Sequence, residues 1–300
     1  MSQKTKKKFG DRKDAVRVRD ADPMHNFMPY LLLGRTDNEA VMNDDMDISA
    51  VTAYLEKKNE SDPDFKYTLF HVILAALAKT MYHRPRMNRF MQGKRLYQKD
   101  ELTFSFVVKR AFSDHADEAL VIMKIDTESD VSPIEQVYGR VKKEVNAVRK
   151  EKKVDGATDI MDILSKLPRF ELKLVAKILF WLEYHGWVPN DLCKVDPYHT
   201  SCFVSNLGSI KMTADYHHLI DWGTNSFFVI IGEKHWKPIF DRDGSYEMKE
   251  VLPLGFTVDE RIADGFYFAR SVKILRHILK HPEILDEPIQ NNIPLEEQHV

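Results

Sequence analysis

The sequence predicts an α/β protein, more narrowly an α+β two-layer sandwich in which helices pack on a mixed sheet. Three observations predict it. Apolar runs of β type recur along the chain: LTFSFVV at 102–108, ALVIMKI at 119–125 and SFFVIIG at 226–232. Between them lie segments with helical apolar spacing, so strands return after long helical excursions. No Gly/Ser linker, low-complexity run or repeat divides the 300 residues, and a 43% hydrophobic share can fill one sizeable core.

In chain order, residues 1–20 come first. The stretch 1–19 holds eight Lys/Arg against two Asp with few large apolar side chains, which predicts a flexible basic tail, or alternatively an anchor for an acidic partner. Asp47 can cap a helix over Ile48–Lys58. Tyr67–His83 is a second, Leu- and Ala-rich helix stopped by Pro85. Leu102–Val108 and Ala119–Ile125 are strands joined by the polar turn Ser113–Glu118. Ser132-Pro133 with Glu135 opens a helix to Lys150. Ser201–Ser205, Ser226–Gly232 and Glu250–Val258 are three more strands. Gly265–Leu279 is a closing helix with Phe268, Val272, Leu275 and Leu279 on one face, and Gly265 is expected to let it start close to the sheet. The main domain therefore covers 21–287, and 288–300, rich in Pro, Asn and Glu, is read as a tail.

Within 155–199 one helix is apolar nearly all round. Leu172, Val175, Leu179 and Leu182 share one face, Leu174, Ile178 and Trp181 the other, and only Lys173, Lys177 and Glu183 interrupt. Such a helix belongs in a core, against another subunit or on a membrane surface. Trp181, Tyr184 and Trp187 can alternatively line an acyl pocket.

Charge and cysteine usage exclude several classes. With 44 Lys+Arg against 46 Asp+Glu the net charge is −2, which offers nucleic acid no global attraction. Cys193 and Cys202 are too few for a disulfide framework or a cysteine-rich zinc site. The start of the chain lacks the apolar core of a signal peptide, and no run suits a transmembrane segment. A cytoplasmic protein without a metal is expected.

Two motifs carry chemistry. Phe203-Val204-Ser205-Asn206-Leu207-Gly208 ends a strand, and Phe256 to Gly265 reads F-T-V-D-E-R-I-A-D-G, a strand running into a helix. In this order they resemble the acyltransferase catalytic core of the 2-oxo-acid dehydrogenase complexes, in the chloramphenicol acetyltransferase-like superfamily. Met46-Asp47-Ile48, the helix at 67–78, Arg86-Met87-Asn88 and Asp126 extend the likeness over roughly residues 25–285. The helical insertion 155–199 has no counterpart there.

The resemblance implies a chloramphenicol acetyltransferase-like fold and a homotrimer with active sites between subunits. The substrate is a coenzyme A thioester, acyl-CoA, whose acyl group passes to a thiol or hydroxyl acceptor. Ser205 matches the donor to the tetrahedral oxyanion, worth roughly 3–4 kcal/mol where water is excluded. Asp264 matches the Asp of the D-G pair, expected to pair architecturally with an Arg, and Arg261 the motif Arg. Glu260 stands where the family has its His base.

An ordinary glutamate lies about four pKa units below a thiol, roughly 5–6 kcal/mol for complete proton transfer. Burial would recover part of that gap, whereas Arg261 facing the carboxylate would widen it. Three alternatives stay open: Glu260 is the base; His217 or His218, in the spacing His217-x-x-x-Asp221, is the base; or the chain is a catalytically silent acyl-CoA-binding or trimeric scaffold homologue. Cys202, an odd number of residues from Ser205 in a strand, is expected on the opposite face and not as nucleophile. The residues before Met46 contain no D-K-A, so no lipoyl group is expected on this chain. A lipoyl acceptor would come from a separate lipoyl-bearing protein.

Overall fold

The apolar runs become strands of one sheet in a computed structural model that describes residues 7–109, 118–151 and 164–294. Its principal strands are β2 (Glu39–Asp47), β5 (Leu102–Lys109), β6 (Glu118–Ile125), β7 (Cys202–Asn206), β8 (Phe227–Ile231) and β10 (Tyr246–Asp259). They lie in the order β2-β10-β8-β7-β5-β6. β7 runs parallel to β5 and β8, and the other pairs are antiparallel. The mixed α/β sheet expected from the sequence is thus present. The expected turn Ser113–Glu118 falls almost wholly outside the described residues.

Side-chain alternation gives the sheet two working faces. Cys202, Val204, Phe227, Val229 and Ile231 point into the main core, beneath helices α2 (Ser49–Lys58), α3 (Leu69–His83), α4 (Pro133–Glu151) and α7 (Gly265–Lys280). α3 is buried without a break from His71 to Met81, so it is the central helix of this layer. On the opposite face Phe203, Phe228 and Ile230 pack with Ala214 and Leu219 from the long loop between β7 and β8.

Five differences from the sequence reading have physical causes. The N-terminal segment is no free tail from Lys7 onward. β1 (Ala15–Arg17) pairs with β4 (Arg95–Lys99), and Arg12, 8% exposed, reaches the buried Glu183. The C-terminal segment from Pro288 also docks: Lys79, wholly buried in α3, donates to the Pro288 carbonyl at 2.9 Å, and Ile289 is fully buried. Residues 1–6 and 295–300 lie outside the described set.

Three further features were not expected. α1 (Pro23–Leu31) starts on Asp22, whose carboxylate accepts from the His25 amide at 3.1 Å. β2 is acid-rich and, among the described residues, pairs with β10 alone, with Asp45 and Asp47 answered by Lys237 and Lys249. A hairpin, β3 (Arg89–Gln92) with β4, turns on Gly93 and Lys94, both at positive φ. Gly93 has a second reason to lack a side chain, since a Cβ there would lie 2.3 Å from the Tyr184 carbonyl. Tyr184 belongs to α5 (Arg169–His185), which is followed by a short helix α6 (Asn190–Val195).

Candidate active site

β10 ends in a buried ionic knot. Asp259 is fully buried, and Arg261 folds back on it with two parallel bonds of 2.8 Å, Nε to Oδ1 and Nη2 to Oδ2. Arg35 Nε approaches the same carboxylate at 3.8 Å, beyond hydrogen-bond distance, while Nη1 donates to the Ile220 and Trp222 carbonyls and Nη2 to that of Gly223. Burial draws the Arg35 guanidinium below its ordinary value, and Asp259 opposes that. Arg261 Nη1 donates to the carbonyls of Leu32 and Leu33. Two buried cations around one carboxylate are tolerable because backbone oxygens take up the surplus donors.

This knot alters the expected roles of the motif. The arginine pairs with Asp259 and not with Asp264. Asp264 instead caps α7, its Oδ1 accepting from the Tyr267 amide at 2.7 Å. Arg261, committed to Asp259, is not aimed at Glu260. Glu260 is exposed, its backbone amide donating to the Asn38 carbonyl at 2.9 Å, and its carboxylate takes no bond among the described residues. A Cβ on Gly265 would meet nothing within 4 Å, so close approach to the sheet does not explain that glycine.

Ser205 lies near the end of β7, half-buried, opposite Ile230 of β8. Its hydroxyl takes no bond among the described residues. The chain then tightens into a 3-10 turn over Leu207–Ile210, where Gly208 passes so close to β8 that a Cβ would lie 2.3 Å from the Gly232 carbonyl. Cys202 faces the main core and Phe203 the other face, which puts Ser205 on the face away from Cys202. Burial pushes the Cys202 thiol well up, which opposes thiolate chemistry there.

His217 and His218 are exposed on the loop that covers this second face. The His217 ring stacks on Phe228 at 4.3 Å and on His218 at 4.6 Å. Phe228 pairs with Phe203, two residues before Ser205, so His217 and Ser205 occupy the same face. His217 Nδ1 is 2.8 Å from the His218 carbonyl. A carbonyl only accepts, so Nδ1 carries the hydrogen and the neutral ring presents its lone pair at Nε2. Asp221 is spent elsewhere, its carboxylate accepting from the Arg35 and Thr36 amides.

Register sets the separation of the two motifs. Ser205 stands opposite Ile230, and Ile230 opposite Gly255. Glu260 follows Gly255 by five positions toward the other end of the sheet, about 17 Å along the strands at about 3.3 Å per residue. Two strand spacings of about 4.8 Å add to that, so one chain alone does not join Ser205 to Glu260.

Two cavities flank this end. One of about 470 Å³ is lined by Arg35, Arg261 and Asp221 together with Leu33, Phe180 and Tyr184. Of the aromatics expected at an acyl pocket, Tyr184 lines it and Trp181 and Trp187 do not. The other, about 490 Å³, is lined by Lys99, Lys124, Arg140, Cys193 and His199 among others. Behind it His199 bridges two carboxylates, Asp196 at 3.1 Å and Glu183 at 3.0 Å. Burial works against its charge, but hydrogen bonds with Asp196, Cys193 and Glu183 raise it to about 11. Burial lowers Lys99 to about 8, as it donates to the His199 carbonyl and the Thr224 hydroxyl. Sequence reasoning missed Arg35 and Lys99 because their partners are a hundred residues or more away in the chain, and His199 because nothing in D-P-Y-H marks it as buried against Glu183 as well as Asp196.

No family model matches the chain, and no curated protein matches it by sequence. Solved structures do resemble it. A dihydrolipoamide acetyltransferase from Azotobacter vinelandii, for which a serine, a histidine and an asparagine have been investigated in the catalytic mechanism, superposes with TM-score 0.57 and 17% identity. The match covers 89% of this chain and 94% of that one. A probable dihydrolipoamide acetyltransferase from Listeria monocytogenes 4b F2365 gives 0.56 and 12%, over 88% and 94%. Chloramphenicol acetyltransferase gives 0.51 and 10%, over 89% and 100%. The fold is therefore that of these acyltransferases.

Proposed function

We propose that the chain is a CoA-dependent acyltransferase that moves an acyl group from a coenzyme A thioester to a thiol or hydroxyl acceptor, working as a homotrimer. The observation that carries this reading is the placement of both motifs on the shared fold. Ser205 stands at the end of β7 and Glu260 directly after β10, too far apart in one chain and suited to meet across a subunit contact. The hairpin of β9 (His235–Phe240) with the start of β10 supports assembly, since Trp236, Phe240 and Tyr246 are all more than 60% exposed on it.

In this reading Glu260 takes the acceptor proton as the acceptor attacks the thioester carbonyl. Ser205 donates to the resulting oxyanion, and collapse expels the CoA thiolate, which recovers the proton from Glu260. The cavity beside Arg261, walled by Leu33, Phe180 and Tyr184, suits an apolar acyl chain. A second reading moves the base to His217. What favours it is the free Nε2 of a ring already on the face of Ser205.

The test is release of free CoA from acetyl-CoA or a longer acyl-CoA in the presence of a dithiol. Ser205→Ala is expected to lower release about 100- to 1,000-fold, and Glu260→Gln to abolish it. If Glu260→Gln is active and His217→Gln is not, the base is His217. Absence of release from the unaltered protein, with acyl-CoA still raising its melting temperature, would mark a silent acyl-CoA-binding homologue.

A further inference from the structure

α5 turns one side to the body of the protein and a chemically different side to solvent. Val175, Ala176, Leu179 and Leu182 are half-buried, and Glu183 is fully buried between Arg12 and His199. That anchor sets the rotation of the helix. Its outward side carries Phe170 (72% exposed), Leu174 (58%), Ile178 (48%) and Trp181 (53%). At about 100° per residue these four fall within one sector of about 80°.

Beside this apolar stripe runs a second one, Arg169, Lys173 and Lys177, one turn apart and all exposed. None of the three makes an ion pair among the described residues, and the carboxylates of α5 are Glu183, fully buried, and Glu171, half-buried at the opposite edge of the apolar stripe. The apolar surface continues beyond the helix. Trp181, His185 and Trp187 form a ring cluster with centroids 4.6–5.3 Å apart. Phe180 and Tyr184 share a cavity wall with Pro29 and Leu33, which joins α5 to the exposed Phe27, Tyr30 and Leu31 of α1.

An apolar stripe with tryptophan, bordered by three cations along one edge and by a single half-buried carboxylate at the other, has the chemistry of a helix lying in an anionic lipid interface. A second copy of this chain suits the surface less well. A twofold contact through this face would set the three cations against the same three cations with only the half-buried Glu171 of each helix to answer them. We propose that this face docks on the surface of an anionic lipid bilayer, with Phe170, Leu174, Ile178 and Trp181 entering the interface and Arg169, Lys173 and Lys177 meeting the headgroups. The attachment is peripheral, since among the described residues no helix is long and apolar enough to cross a membrane. It is independent of the acyl-transfer reading.

Flotation with vesicles tests it, using phosphatidylcholine alone and phosphatidylcholine mixed with phosphatidylserine. The protein is expected to float with the mixed vesicles, not with phosphatidylcholine alone, and less as salt rises. The double variant Lys173→Gln/Lys177→Gln is expected to lower partitioning about 25-fold, at about fivefold per cation. Trp181→Ser is expected to lower it with an unchanged melting temperature. Flotation on neither vesicle, equal flotation on both, or unaltered binding by the double variant would overturn the proposal. So would a lower assembled mass for Trp181→Ser in sedimentation, which would assign this face to another copy of the chain.

Discussion

Asp259 is wholly buried with two arginines around it, whereas Glu260, one position on, lies in solvent. The two neighbours therefore separate by measurement. Arg261→Met leaves the Asp259 charge with only the more distant Arg35, and it is expected to destabilise the fold by about 3–5 kcal/mol in urea titration. Glu260→Gln is expected to stay within about 0.5 kcal/mol of the parent, whatever it does to turnover. The buried pair His199 and Lys99 gives a pH signature of defined sign. From about pH 6.5, where an unfolded histidine deprotonates, the folded chain keeps the His199 proton up to about 11. Stability should fall by about 1.4 kcal/mol per pH unit over that stretch. Above about 8 the folded chain also sheds the Lys99 proton while the unfolded chain holds its own until about 10.5, so the two slopes cancel there. Urea midpoints across this range should thus fall and then level, and His199→Gln should remove the initial fall.

At the scale of elements, α7 rests on a cap that the motif's resemblance had assigned to a different role. Asp264→Ala removes the acceptor for the Tyr267 amide and is expected to cost about 1 kcal/mol, read as a lower urea midpoint with an unchanged slope. What the sequence disclosed divides along physical lines. β5, β7 and β8 were legible because they are buried on both faces and read as continuous apolar runs, and α3 because length and composition mark a buried helix. β2 was not legible, since E-A-V-M-N-D-D-M-D has little strand propensity and owes its conformation to β10 beside it. The β3–β4 hairpin left a signal, a Gly-Lys pair between two alternating runs. At the site, Ser205 and the D-E-R-x-x-D-G segment were identifiable from residue order. The Asp259 knot was not, because Arg35 reaches it from more than two hundred residues away.

At the scale of the whole molecule, the proposed reading makes a subunit contact part of the chemistry, because Ser205 and Glu260 lie far apart in one chain. If each site takes its serine from one chain and its carboxylate from the next, Ser205→Ala and Glu260→Gln trimers are each inactive, yet their chains complement one another. Subunits exchanged at equal ratio under mild denaturant should form trimers in which any site finds an intact serine with probability one half. The intact glutamate comes from the neighbour with the same probability. About a quarter of the sites are then whole, and about a quarter of the parent CoA release should return. Catalysis confined to one chain, with His217 or Glu260 acting beside its own Ser205, gives a different result. A Glu260→Gln chain would then work or fail regardless of its neighbours, and mixing would add nothing to the activities of the separate variants. The mixing assay thus distinguishes a site shared between chains from one completed on a single face of the sheet, without requiring the acceptor to be known.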